Sequence, residues 1–76
     1  MNGIVYLYRH YKGGLYYVLS EAVLETDGTR VVVYRGVDGS IWVRPALEFY
    51  GFVDDEFKTA RFVRLGFVDT NNGRLS

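Results

Sequence analysis

Arg30-Val31-Val32-Val33-Tyr34-Arg35, Gly36-Val37-Asp38-Gly39-Ser40 and Ile41-Trp42-Val43-Arg44-Pro45, read in succession, decide the fold. Two runs of β-branched and aromatic residues flank an Asp-Gly pair, the strongest short-range signal for a β-hairpin. Pro45 stops the second run, because proline has no N–H to give to a ladder. The same pattern repeats upstream. Leu15 to Val23 reads as a strand turned back by Glu25-Thr26-Asp27-Gly28-Thr29, and Ile4 to Tyr11 as one ended by Lys12-Gly13-Gly14. Downstream, Pro45 to Gly51 suits one helical turn, with proline at its start and glycine just past its end. Asp54-Asp55-Glu56 is a compact acidic cluster expected in an exposed loop, and Thr59 to Phe67 supplies a closing strand.

Five short strands joined by tight turns predict an all-β fold, a small five-stranded SH3-like antiparallel barrel with one short helical turn. An OB-like barrel is the less favoured alternative at this length. The barrel is expected over residues 1–69, with 70–76 as a polar C-terminal tail. Side chains alternate between faces along a strand. Ile and Val fill a small core without polar leftovers, so Ile41 and Val43 are expected inward, with Val18, Val31, Val33 and Phe62. That assignment puts Trp42 and Arg44 together on the outer face.

Composition narrows the function classes. The 76 residues are 49% hydrophobic, too apolar for a disordered tail, and they make one small domain with a thin stability margin. There is no cysteine and one histidine, so disulfides and thiolate zinc are excluded and a protein-only transition-metal site is disfavoured. Nine basic residues balance nine acidic ones, which argues against a dedicated nucleic-acid binder. No apolar run approaches the roughly 20 residues that span a bilayer, and the N-terminus lacks the look of a secretory signal. A cytoplasmic location without membrane contact is the expectation.

The constellations of catalysis are missing. His10 is the sole histidine, and neither Ser20 nor Ser40 has a base patterned beside it. Asp54, Asp55 and Glu56 read better as a solvated loop than as a magnesium or acid–base pair. No phosphate-binding glycine loop is present. The chain is therefore expected not to be an enzyme and to need no cofactor.

Binding is better supported. Aromatic residues make up 17% of the chain, and many sit beside a basic side chain: Tyr8-Arg9-His10-Tyr11-Lys12, Tyr34-Arg35, Trp42-Val43-Arg44. Aromatic faces stack on planar groups, and guanidinium forks hold carboxylates or phosphates. Together they suit a planar anion such as a nucleotide. Equally, Tyr and Trp are good strand formers that Arg stems cover, which is the preferred account of Tyr6, Tyr16 and Phe62.

Tyr8-Arg9-His10-Tyr11-Lys12-Gly13, Tyr16-Tyr17-Val18, Val33-Tyr34 and Trp42-Val43-Arg44-Pro45 with Phe49 resemble the small bacterial and phage family catalogued as domain of unknown function 1653. The resemblance runs from about Val5 to Leu65. It implies one compact β-rich domain and no mechanism, and it selects His10, Lys12, Tyr34, Trp42 and Arg44 as ligand-binding candidates. Three functions stay open. The leading one is a non-catalytic module for a small anionic, nucleotide-like ligand; in a phage, such a module would sequester a nucleotide immune signal. The second is an SH3-like protein–protein adaptor, and the third a nucleic-acid-binding barrel. A thin domain with large apolar side chains on both faces and no covalent staple is also expected to form a homo-oligomer.

Overall fold

The computed structural model describes residues 3–69 and the backbone of residues 74–75. In chain order the elements are β1 (Ile4–His10), β2 (Leu15–Val23), β3 (Arg30–Gly36), β4 (Ile41–Pro45), α1 (Ala46–Phe49), β5 (Phe52–Asp54), β6 (Thr59–Ala60), β7 (Phe62–Asp69) and β8 (Arg74–Leu75). Both Asp-Gly pairs turn the chain as their chemistry dictates. Gly28 and Gly39 take φ of 75° and 89°, a region that glycine enters at no steric cost. The Oδ1 atoms of Asp27 and Asp38 accept the backbone N–H of Thr29 and Ser40 at 2.9 and 3.0 Å. Of the expected tail at 70–76, residues 70–73 and 76 lie outside the described residues. Arg74 and Leu75 pair as β8 with Asp69 and Val68.

The protein is mostly β. Five antiparallel strands, with β8 added at one edge, form a sheet of order β4-β3-β2-β1-β7-β8, and β5 and β6 make a separate hairpin. The expected barrel does not close: among the described residues β4 shares no ladder with β7. The reason lies at Pro45, which ends β4 after five residues and sends the chain into α1. Side chains and loops bridge the gap instead. Phe49 of α1 stacks on Phe62 of β7, and the Arg61 N–H donates to the Gly51 carbonyl at 3.0 Å.

The core lies on one face of this open sheet, under α1. Val18, Val32, Tyr34, Ala46, Phe49 and Phe62 form it, with Tyr8 and Tyr16 packed against it. Val32 and Phe49 are fully buried. Their ring neighbours meet mostly edge to face, the arrangement that the aromatic quadrupole favours. Val18, Val31 and Phe62 are buried as expected, but Val33 is only half-buried and, opposite Val43, faces away from the core. Ile41 and Val43 are not core residues; they are 55% and 56% exposed. Register explains the correction. Tyr34 stands opposite Trp42 and Val32 opposite Arg44, so Trp42 and Arg44 share the core face. Ile41 and Val43 point to the face that α1 leaves uncovered.

Candidate functional site

Beside α1 on the core face, six side chains line a cleft of about 200 Å³: His10, Tyr16, Tyr34, Trp42, Arg44 and Phe62. Strand pairing builds it. His10 is opposite Phe62 across β1 and β7, and Tyr34 is opposite Trp42 across β3 and β4. Between them Tyr16 is opposite Gly36, which lies against the tyrosine ring and the Asp38 carboxylate. A Cβ at Gly36 would lie 3.4 Å from that ring. Four of the five residues singled out from the sequence therefore meet in one place: His10, Tyr34, Trp42 and Arg44. They do so as a continuation of the core rather than on the opposite face, where Trp42 and Arg44 were expected.

Lys12 is the fifth. It lies in the exposed turn after β1, outside the cleft wall, with its ammonium 5.8 Å from the Tyr11 ring centre. Its contact with the site is through the main chain: the Lys12 N–H donates to His10 Nδ1 at 3.2 Å. The imidazole proton then resides on Nε2, which leaves His10 one N–H to donate. Burial holds the His10 pKa below its ordinary value, and the positive charges of Arg44, Arg61 and Lys12 add to that effect. The neutral ring is thus the resting form at pH 7.

Arg44 is held on two sides. Its Nε donates to the Tyr34 hydroxyl at 3.4 Å, and Nη1 bonds Glu48 Oε1 at 3.2 Å, one turn along the chain. The Tyr34 bond, reinforced by Glu48, raises the Arg44 pKa further still. The cleft thus combines an indole 53% exposed, an oriented guanidinium, an imidazole N–H and an aromatic floor. None of its six lining residues carries a carboxylate, an aliphatic hydroxyl or a thiol. What it can do chemically is stack on a ring and neutralise an anion.

Tyr16 and Phe62 were read from the sequence as core alone, yet they also wall the cleft. The signal was faint: a bulky tyrosine two residues after a Gly-Gly turn, and a register with Gly36 that no local motif announces. Arg61 acts on His10 through its charge, a relationship that no local sequence motif announces. The acidic cluster at Asp54 to Glu56 forms the β5–β6 turn, where Asp54 Oδ1 accepts the N–H of Glu56 at 2.9 Å.

A family model described as a protein of unknown function (DUF1653) matches residues 6–64. No curated protein and no solved structure matches the chain.

Proposed function

Because the chain belongs to the DUF1653 family over residues 6–64, whose description assigns no activity, we propose its function from the cleft: a non-catalytic module that binds a small planar anion. The observation that carries this is the convergence of the Trp42, Arg44 and His10 side chains around one opening, with His10 Nδ1 already taken by the Lys12 N–H. Trp42 stacks on the ligand ring, Arg44 holds its charge, and His10 donates to one of its oxygens. Tyr34 keeps the guanidinium in place. Arg44, Arg61 and Lys12 all act on His10, so three cations gather at this corner beside the carboxylates of Glu48 and Asp38.

A ring with an attached anionic group is the chemistry of a nucleotide, and a phage member of the family would use such a site to sequester a nucleotide signal. In this reading the architecture is SH3-like, with α1 and the β5–β6 hairpin standing where a barrel would close. One observation favours a second reading, a peptide-binding adaptor: β4, which carries Trp42, is an edge strand open to strand addition. The deciding experiment is mass spectrometry of small molecules released by heat from protein purified out of its cells, followed by calorimetry with the compounds found. A recovered nucleotide that binds stoichiometrically supports the proposal. Empty protein that binds no nucleotide but retains an extended peptide replaces it with the adaptor.

A further inference from the structure

Antiparallel sheets commonly turn a polar face to water, but the face of this sheet away from α1 carries a run of apolar side chains among its two arginines. Its register sets Ile41, Arg35, Tyr17 and Leu7 in one row and Val43 beside Val33 in the next, with Val63 and Arg9 paired toward one end. Ile41, Val43 and Val63 are each more than half exposed. With the half-buried Val33, Leu7 and Tyr17 they form one contiguous apolar surface, the kind that marks an interaction face.

We infer that this face is the interface of a homodimer in which two copies stack sheet on sheet as a β-sandwich. The occupant follows from charge. Arg9 and Arg35 lie toward the β1–β2 end of the strands, the latter with its guanidinium 5.6 Å from the Tyr17 ring centre. Glu25 and Asp27 lie in the β2–β3 turn at the opposite end. A two-fold axis near Val33 and Val43, with the strands of the two copies antiparallel, carries the arginines of each copy toward the acidic turn of the other. Asp38 in the β3–β4 turn bonds Ser40, and Arg30 at the other end bonds Glu21, so Arg9 and Glu25 are the charges that a second copy is left to pair. The ligand cleft is on the far face and stays open in both copies.

Sedimentation velocity of the full chain at micromolar concentration should read twice the 8.7 kDa chain mass. Val43→Lys should sediment as a monomer with an unchanged far-UV spectrum, and Ile41→Lys is the substitute where that variant fails to fold. Arg9→Glu should weaken association by roughly tenfold or more, and Arg9→Glu combined with Glu25→Arg should restore it. Trp42→Ala, on the other face, should leave the mass at the dimer value, which separates this test from that of the ligand site. A monomeric wild type, or lysine variants that fold and still dimerise, would overturn the inference.

Discussion

Phe49 lies flat on Phe62, ring centres 4.0 Å apart and planes within 10°, where the neighbouring ring pairs meet edge to face. This stack joins α1 to the first residue of β7 and so holds together the two sides of a sheet that no ladder among the described residues closes.

Phe49→Ala should therefore cost about 3–5 kcal/mol, the loss of a fully buried ring plus the cavity it leaves. That is most of the stability available to a domain of this size. Urea unfolding at 25 °C measures it. Phe49→Leu should retain a cooperative transition, and an alanine variant as stable as the wild type would dissolve the bridging role assigned to the stack.

Arg44→Ala should lower affinity for the ligand by about 1.5–3 kcal/mol, the scale of a charged hydrogen bond, while the melting temperature moves little. The Arg44–Glu48 pair is solvent-exposed on the glutamate side and so contributes weakly to folding. Glu48→Gln should leave affinity near the wild-type value. Lys12→Ala should cost less than Arg44→Ala, since its ammonium is exposed and screened. Calorimetry and a thermal melt on the same Arg44 variant decide the matter: a lowered melting temperature with unchanged affinity would make Arg44 a purely structural residue.

His10 should make stability depend on pH in a defined direction. Its folded pKa lies below the ordinary 6.5, so the unfolded chain takes up a proton that the folded one resists. The resulting stability is full above about pH 6.5, declines as pH falls from there toward the folded value, and is level below it. His10→Gln should remove that slope from denaturant midpoints measured between about pH 7.5 and 5. The groups facing His10 with charge are Arg44, Arg61 and Lys12, and all three stay cationic across that range. Parallel pH profiles for the wild type and the variant would refute the assignment.

Tyr50 should titrate late. Burial pushes its pKa up to about 12, and the Glu21 carboxylate, which accepts the phenol proton at 2.8 Å, adds to the rise. The same bond leads the causes that hold the Glu21 carboxyl below its usual range, with Arg30 next. A folded tyrosine that keeps its proton between pH 10 and about 12 lends stability that is lost as pH rises through that window. In an alkaline ultraviolet titration Tyr50→Phe should abolish the last tyrosinate step, and Glu21→Gln should move it to lower pH. Persistence of the step in Tyr50→Phe would assign it to another ring.

The turns were legible because their chemistry is local: Asp27-Gly28 and Asp38-Gly39 need only a carboxylate cap and a positive φ. Pro45 and Gly51 marked the helical turn for the same reason. A Cβ at Gly51 would come within 2.6 Å of the Leu47 carbonyl oxygen. The parity of β4 was not legible. Both of its faces carry large apolar or amphipathic side chains, and which one becomes core is set by where α1 folds over, a long-range choice. Preferring Ile41 and Val43 over Trp42 and Arg44 treated the core as aliphatic, whereas aromatic rings make up much of it. Four members of the cleft were still found, because placing Trp42 and Arg44 on one strand face depends on alternation alone and not on which face is inside.

Trp42 is the chain's single tryptophan, and it stands half in solvent at the mouth of the cleft. The optical consequence is direct. All indole emission from this protein originates at one wall of the proposed site, within reach of the Arg44 cation and the Tyr34 phenol. Anything that slides over that indole dries it and shifts its spectrum to the blue or quenches it. The protein thus carries its own fluorescent reporter of occupancy, one that needs no label and answers only to events at that corner of the sheet.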